Sequence, residues 1–436
     1  MKRSTATVVF AALAVTGCTA ERSAPVVTRP PPPSTTTTTE PPPTTTEETV
    51  VEVTSPSTTV RPTTTTTTPA AQSVAWEEFD KALSSRMLGS GDFAVSVAVA
   101  VDGELVHTGA FGFRVPPPYV PPREGGTIEG PVPTAPRATV LRQRPDGVEE
   151  TDRFRIASIS KILTATVVLQ LVESAYLSLD QPVGQLLADH VGVKVQDPAV
   201  AGITVRQLLS HTSGLSGYHD LFFGGAADSC TSAARAGLSG RLIAPPATRY
   251  IYSNLGYCLL GLLVEQVTNR PYEVEVRERL LEPLGIKGMR LAATFDRNPR
   301  EVQHPSVPTR NYMEVLAAAG GWTATPADLV RILDALDPAK PGWHPLSKRM
   351  LDLMRRPMPT VPYPRGYDHW YGLGLIVSTD GSWGHTGTVE STHAMALARP
   401  DGVTWSVLVS GEYPGTTGNL RQIFDETVAG AGLTLP

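Results

Sequence analysis

Apolar and polar positions follow two different periods along the chain, which divides it into strand-like and helix-like stretches. Residues 93–101 and 104–108 are β-prone runs, and the Asp102-Gly103 pair between them favours a tight hairpin. More β-prone runs lie near the C-terminus, at residues 371–379, 382–387, 393–398 and 403–409. Because strand-like runs lie at both ends of this region, we expect the first hairpin and the last strands to pair in one sheet.

Apolar residues at helical spacing fill the stretch between these strands. The clearest run covers residues 162–172 and predicts a buried helix that ends near residue 179. A second buried helix is predicted at residues 255–267, and shorter helices at residues 76–87, 204–209, 271–284, 329–336 and 420–429. The pattern therefore predicts an α/β (α+β) fold, with a mixed, mainly antiparallel sheet flanked by helices and a helical subdomain.

Residues 1–17 have the organisation of a bacterial export signal. Lys2 and Arg3 precede an apolar stretch over residues 6–15, which is too short to span a bilayer. The stretch ends in Val15-Thr16-Gly17-Cys18, which resembles the bacterial lipobox and predicts lipidation of Cys18. An ordinary secretory signal with an incidental cysteine is the alternative. A lipidated Cys18 would hold the protein on the outer face of the membrane, because several acyl chains anchor stably where one does not.

Two stretches carry little that a folded core could bury. Residues 18–73 are runs of threonine and proline, which predict a disordered linker that lifts a domain away from the membrane. Residues 114–150 are rich in proline and glycine and predict a long loop insertion. The remaining chain, residues 74–436, is therefore interpreted as one large folded domain.

Composition narrows the classes of partner and cofactor. The formal net charge of −5 gives no electrostatic case for nucleic acid. No His-x-x-x-His or clustered Cys/His pattern calls for a metal or another cofactor. Besides Cys18 the chain has only Cys230 and Cys258, which in an exported domain favour one disulfide. Two separate small apolar cysteines are the alternative.

The predicted helix over residues 162–172 is preceded by Ser158-Ile159-Ser160-Lys161. Ser158 and Lys161 lie three positions apart, and therefore on one side of a helix. Burial would strip water from the lysine ammonium and lower its pKa toward the range of a base. In isolation, such a pair is more often a capping serine and a surface-reaching lysine. In the functional interpretation, Ser158 is a nucleophile and Lys161 is its proton acceptor.

Two further motifs supply what a serine nucleophile needs. Tyr252-Ser253-Asn254 places a phenol and an amide on one side of an extended segment, where the phenol could relay a proton, as phenolate beside an ammonium. His385-Thr386-Gly387-Thr388 ends a predicted strand, and its glycine and backbone N–H groups could admit a substrate and bind an oxyanion. Singly these motifs are more often structural. His211, in a Thr-Ser-Gly turn, is interpreted as structural.

Together and in this order, the three motifs resemble those of the penicillin-recognising serine hydrolases, in the branch of class C β-lactamases and D-alanyl-D-alanine carboxypeptidases. The resemblance implies the β-lactamase/transpeptidase-like fold for residues 76–430. It implies Ser158 as the acylated nucleophile, Lys161 as its proton acceptor and Tyr252 as general acid/base. It also implies that Asn254, His385, Thr386 and Gly387 contact the substrate and that His385 and Thr386 tune Tyr252. The N–H groups of Ser158 and Thr388 would form the oxyanion hole.

Two positions depart from the family pattern. Residues 375–377 offer no arginine for a substrate carboxylate, and Ser391 stands where the family often has glycine. Recognition of a free substrate carboxylate is therefore open. The choice between D-alanyl-D-alanine carboxypeptidase, β-lactamase and esterase or amidase is open for the same reason. A non-catalytic cell-wall-binding module is the rival outside enzymes. We expect an extracytoplasmic, lipid-anchored monomer that acts on peptidoglycan peptides, β-lactams or small esters.

Overall fold

The β-prone runs at the two ends of the domain form one seven-stranded sheet. A computed structural model describes residues 69–115, 147–217, 219–308, 310–358 and 368–436. The predicted signal peptide, Cys18 and residues 19–68 of the linker lie outside these residues, as do residues 116–146 of the predicted insertion. The described strands are β1 (Ala94–Val101), β2 (Glu104–Gly112), β3 (Phe154–Arg155), β4 (Arg290–Leu291), β5 (Trp322–Ala324), β6 (His369–Tyr371), β7 (Ile376–Ser378), β8 (Trp383–Val389), β9 (Thr392–Ala398) and β10 (Val403–Ser410).

The strand order in the large sheet is β2-β1-β10-β9-β8-β7-β6. The first hairpin therefore joins the last strand, with Ala94 opposite Ser410 and Val101 opposite Val403, which confirms the predicted closure. Every strand pair in this sheet is antiparallel, so the expected mixed character is not found among the described strands. A second, three-stranded sheet has the order β3-β5-β4.

Helices cover both faces of the large sheet. They are α1 (Pro69–Gly89), α2 (Ser160–Glu173), α3 (Gly184–Val191), α4 (Pro198–Ala201), α5 (Val205–Leu209), α6 (His219–Phe223), α7 (Cys230–Leu238), α8 (Asn254–Thr268), α9 (Tyr272–Val276), α10 (Tyr312–Leu316), α11 (Pro326–Ala335), α12 (Lys348–Met354) and α13 (Asn419–Gly430). Helix α9 runs on into a π-helical turn, Arg277–Leu281. Within the described residues, no helix is both long and apolar enough to cross a membrane.

The alternation of side chains along β1 explains the two layers. Val95, Val97 and Val99 share one core with α1 and α13, where Trp405 and Phe424 stack at 4.2 Å. The alternate residues Ala98 and Ala100 pack with α11 on the other face. The largest core lies on that second face and surrounds α2 and α8. Helix α1 begins at Pro69, inside the predicted linker.

Two predicted elements end differently from the prediction. Helix α2 stops at Glu173 rather than near residue 179, because Ala175 has a left-handed φ of 58° that turns the chain away. Leu177 and Leu179 are still buried, but from a loop. The expected strand at residues 371–379 is split into β6 and β7, which pair with each other. The break contains Gly374, where φ is 91° and a Cβ atom would lie 2.3 Å from that of Ala165.

A disulfide joins Cys230, the first residue of α7, to Cys258 in α8, with the two Cα atoms 5.7 Å apart. Cys258 lies four residues after Asn254, so the bridge holds the first turns of α8. This answers the alternative that the sequence left open between a bridge and two separate cysteines.

Candidate active site

Ser158 lies on a short 3₁₀ turn, Ala157–Ile159, between β3 and α2. The residue before it, Ala157, has a left-handed φ of 46°, which is uncommon for a residue with a side chain and lifts the serine out of the regular helix. The Ile156 N–H donates to the Trp322 carbonyl and fixes the start of the turn to β5. Ser158 is half-buried, whereas Lys161, one turn later, is completely buried.

Lys161 is held by three oxygen atoms. Its Nζ lies 2.9 Å from Ser158 Oγ, 2.9 Å from Asn254 Oδ1 and 2.7 Å from the Ala319 carbonyl. The amide and carbonyl oxygens can only accept hydrogen bonds, so the two N–H bonds of a neutral amine must face them. The lone pair of that amine is then left for the hydroxyl of Ser158. The geometry therefore places a base on the nucleophile without any rearrangement.

Burial lowers the pKa of Lys161 far below the usual value for a lysine, as the sequence predicts. The Lys161 Nζ atom also lies 4.9 Å from the ring centre of Tyr252 and 5.5 Å from that of Tyr257. No carboxylate is among the partners of Nζ in the described part of the chain. Desolvation thus dominates, and it favours the neutral, basic form of the lysine.

Tyr252 directs its hydroxyl at the same serine. A hydrogen bond joins the Tyr252 and Ser158 side chains, while burial raises the pKa of Tyr252 above its ordinary value. The sequence interpretation allowed a phenolate at this position, and the raised pKa disfavours it. Tyr252 is therefore a neutral phenol in the resting site, able to give a proton to a leaving group.

The second half of the site is strand β8, which carries His385, Thr386, Gly387 and Thr388. His385 is buried, and its two ring nitrogens lie 3.0 Å from the Tyr371 hydroxyl and 2.5 Å from the Thr386 carbonyl. Burial, with the charge of Lys161, lowers the pKa of His385 to about 3. The expected tuning of Tyr252 by His385 thus finds no direct hydrogen bond, and Tyr371 stands between them.

Gly387 is required for a different reason from the one the sequence suggested. A Cβ atom at this position would lie 2.3 Å from the Ile156 carbonyl oxygen and 3.0 Å from the Ala157 Cβ. The space is filled by the protein's own turn, rather than reserved for a substrate. Gly387 therefore lets β8 approach the nucleophile turn, and so sets the separation of Ser158 and Thr388.

Thr386 is half-buried and Thr388 exposed, and both lie on the opposite side of β8 from His385. The Thr388 hydroxyl is hydrogen-bonded to that of Thr417, in the loop before α13. Thr417 also contacts His393, with 3.1 Å between Oγ1 and Nδ1. The loop before α13 thus supports the exposed end of the strand.

His304 ties the two halves together behind the site. Its Nε2 accepts the Arg155 N–H at 3.2 Å, and its Nδ1 donates to the Ser391 carbonyl at 3.1 Å. Ser391 itself is buried in the β8–β9 turn with a left-handed φ of 47°. This conformation explains why glycine would fit there.

Sequence reasoning identified Ser158 and the three side chains grouped with it, those of Lys161, Tyr252 and Asn254, and missed most of the residues that support them. The Ala319 carbonyl carries no signal in the sequence, because any residue has one. Tyr371 and Thr417 lie 14 and 29 positions from the motif residues that they contact. His304 contacts Arg155 and Ser391, which lie outside the three motifs. His211, interpreted as structural, proves to lie against Tyr252, with ring centroids 4.3 Å apart. The available signal for Tyr371 was its position directly before Gly372, because a tyrosine beside a glycine-rich turn can lie close to a site.

Comparison with known proteins adds a family to this geometry. The sequence model of the family described as Beta-lactamase matches residues 79–427. Penicillin-binding protein 4 of Amycolatopsis lactamdurans is 37% identical over 134 residues, which are 30% of this chain and 34% of that protein. The chain thus spans about a third of the length of that relative.

Solved structures support the same fold. The D-amino acid amidase of Ochrobactrum anthropi SV3 matches 82% of this chain and 99% of its own, with a TM-score of 0.61 and 21% identity. The octameric penicillin-binding protein homologue of Pyrococcus abyssi matches 84% of this chain and 77% of its own, with a TM-score of 0.58 and 21% identity. At these identities the likeness extends to the fold alone, which is the β-lactamase/transpeptidase-like fold that the sequence predicts.

Proposed function

The chain belongs to the beta-lactamase family of serine hydrolases, and from this premise we propose that it acts through an acyl-enzyme on Ser158. The observation that carries the proposal is the Lys161 amine, whose lone pair is left for the Ser158 hydroxyl. Lys161 takes the serine proton as Ser158 attacks a carbonyl carbon. The half-buried phenol of Tyr252 then gives a proton to the departing group.

The tetrahedral intermediate would be held by two backbone donors. The Ser158 and Thr388 N–H groups lie on segments that Gly387 brings into contact, and each such donor contributes about 3 kcal/mol in comparable sites. Asn254, already bound to Lys161, orients the substrate amide, and Thr386 lines the strand side. Water, activated by the same lysine or tyrosine, finally hydrolyses the acyl-enzyme.

The substrates we propose are peptide, lactam and ester carbonyls, with peptidoglycan peptides as the first candidate. The penicillin-binding relative and the amidase of the same fold support this range. Small neutral esters and amides are the second candidate, favoured by Leu375, Ile376 and Val377, which provide no arginine for a substrate carboxylate.

The experiment compares Ser158→Ala with Ser160→Ala, a serine of the same motif whose Oγ accepts the Trp322 N–H instead. The wild-type protein and the Ser160→Ala variant should gain the mass of an acyl group from benzylpenicillin or p-nitrophenyl acetate. Ser158→Ala should gain none. An equal adduct on Ser158→Ala would refute the assignment of the nucleophile.

A side-by-side assay separates the two substrate candidates. Nitrocefin, a D-alanyl-D-alanine peptide, the C-terminal amide of that peptide and p-nitrophenyl acetate would be offered to the wild-type protein at equal concentration. Faster turnover of the free-acid peptide than of its C-terminal amide would support the carboxypeptidase and contradict the neutral-substrate candidate.

We also propose that the protein is a monomer held outside the cytoplasm by lipid on Cys18, with residues 19–68, which precede helix α1, as its stalk. The Lys2-Arg3 pair, the apolar run and the Val15-Thr16-Gly17-Cys18 sequence support the anchor. Wild-type protein should partition into detergent and Cys18→Ala should not. Light scattering of the protein without its lipid tests the monomer, since one homologue of this fold is octameric.

A further inference from the structure

We propose that His211 is a positioning residue for the proton-transfer side of this site, holding Tyr252 and Asn254 in place as a neutral hydrogen-bond acceptor. The inference rests on the proposed function, because it needs Tyr252 and Asn254 to serve the acylation of Ser158. It assigns a task to a histidine that lies 53 positions from the nucleophile in the chain and outside the three motifs.

His211 binds the Tyr252 segment at two points of its backbone. The Ser253 N–H donates to His211 Nδ1 at 3.2 Å, and the Ile251 N–H donates to the His211 carbonyl at 2.8 Å. Ser253 is the residue between Tyr252 and Asn254, so both functional side chains leave the chain beside this bond. The left-handed φ of His211, 57°, directs its carbonyl and its ring toward the same segment.

The ring of His211 also packs on the side chains of the site. Its centroid lies 4.3 Å from that of Tyr252, 4.5 Å from that of Tyr371 and 5.1 Å from that of Tyr257. Tyr371 is the residue that contacts His385. His211 therefore fills the space between the phenol that would transfer the proton and the tyrosine that holds the strand.

The hydrogen bond from Ser253 fixes the protonation state of the ring. Nδ1 accepts a hydrogen bond and so carries no proton, which places the single proton on Nε2. Nε2 is buried and has no hydrogen-bond partner among the described residues. A charged ring would need a second proton on Nδ1, directed at the Ser253 N–H.

The groups that face the ring oppose its protonation as well. Lys161 and His385 are the basic groups that act on it, and the aromatic rings packed near it are those of Tyr250, Tyr252, Tyr257 and Tyr371. Burial lowers the pKa of His211 far below its ordinary value, and these two groups lower it further. His211 thus stays an acceptor through a cycle in which Lys161 gains and loses a proton.

Two amide substitutions of His211 separate its role as hydrogen-bond acceptor for the Ser253 N–H from the packing of its ring. The amide oxygen of His211→Asn lies near the position of Nδ1, whereas that of His211→Gln reaches the position of Nε2. Acylation by p-nitrophenyl acetate should fall no more than about tenfold in His211→Asn. It should fall about a hundredfold in His211→Gln, in kcat rather than KM, since displacements near 1 Å cost this much.

Asparagine also suits the left-handed backbone at position 211, so stability must be separated from rate. The thermal midpoint of each variant is measured, and rates are taken well below it. His211→Gln is then combined with Tyr252→Phe. If His211 acts through Tyr252, its hundredfold cost should fall to tenfold or less in that background, because the two changes remove the same interaction.

A matched control is His107, a histidine that contacts Asp80 and stacks on Trp76 under α1. His107→Asn and His107→Gln should acylate at equal rates. Equal rates for His211→Asn and His211→Gln, or the same cost of His211→Gln with and without Tyr252→Phe, would overturn the inference. A wild-type protein that forms no acyl-enzyme would instead refute the proposed function on which the inference rests.

Discussion

The two halves of the active site are built in opposite ways. On the helical half, Ser158, Lys161, Tyr252 and Asn254 are hydrogen-bonded to one another. On the strand half, the side chains bond outward: His385 contacts Tyr371, and the exposed end of the strand contacts the loop before α13. The difference assigns the proton chemistry to the helical half. The strand half acts as a wall, placed by packing against the nucleophile turn.

The largest effect should come from the centre of the helical half. Lys161→Ala removes the base and leaves the Asn254 and Ala319 oxygens without their buried partner. We expect the acylation rate to fall by about 10³-fold or more, measured by single-turnover mass shift. Lys340→Ala is the control, since Lys340 is also a buried lysine but donates to the Gly402 carbonyl. Equal losses in the two variants would mean that buried lysines matter here only for folding.

The next prediction concerns the disulfide, which should stabilise the helical half without contributing much to the acylation rate. Cys230→Ser with Cys258→Ser opens a loop with a sequence separation of 28, which should cost about 3.5 kcal/mol of the free energy of unfolding. Acylation should still fall by less than about threefold, because Lys161 and His211 continue to hold the start of α8. Urea denaturation measures the first quantity. An unchanged urea midpoint would contradict the stabilising role of the disulfide. An acylation rate that falls by much more than threefold would contradict the separation of the frame of the helical half from its chemistry.

A smaller effect tests whether the strand half is placed by packing. Gly387→Ala puts a Cβ atom 2.3 Å from the Ile156 oxygen, so β8 or the nucleophile turn must move. Such overpacking costs about 1–3 kcal/mol of stability, and the rate should fall because Ser158 and Thr388 separate. Gly418→Ala, with nothing within 4 Å and a φ of −57°, is the matched control and should change neither. Full activity in Gly387→Ala would show that the strand is free to adjust.

The same contrast explains what the sequence could predict. The residues of the helical half could be predicted because Ser158 and Lys161 are three positions apart and Tyr252 and Asn254 are two positions apart. Local geometry then fixes which side chains share a side. The closure of the sheet was predictable because strand-like runs lie at both ends of the domain. A mainly antiparallel sheet was predicted as well, whereas the full strand order and the antiparallel pairing of every neighbour in the large sheet followed only from the structure.

The strand half was less predictable, because its partners come from elsewhere in the chain. Tyr371 lies in the stretch that was predicted as one strand, and only the break at Gly374 turns it toward His385. The close approach of Gly387 to Ile156 depends on tertiary packing across a large sequence separation, which leaves no periodic signal. The phenolate interpretation of Tyr252 did not include tertiary burial, which raises the pKa of the Tyr252 hydroxyl and disfavours the phenolate.

The smallest effect should come from the charge state of the strand half. The basic form of Lys161 exists only above its lowered pKa, so acylation should rise with pH through that value and then level off. His385, with a pKa of about 3, is neutral at pH values well above 3. His385→Gln replaces one neutral group by another that can still accept from the Tyr371 hydroxyl. It should lower the rate and leave the midpoint of the pH profile within about 0.3 units.

A charged His385 would predict a different profile. A full charge several ångströms from Lys161 is worth more than about 1 kcal/mol at an effective dielectric constant near 20. Its removal would then raise the midpoint by about one pH unit, since 1.36 kcal/mol corresponds to one unit. The pH dependence of acylation in wild-type and His385→Gln protein therefore distinguishes a neutral wall from an electrostatic partner of the base. An upward shift of that size would move His385 from the strand wall into the proton chemistry of the helical half.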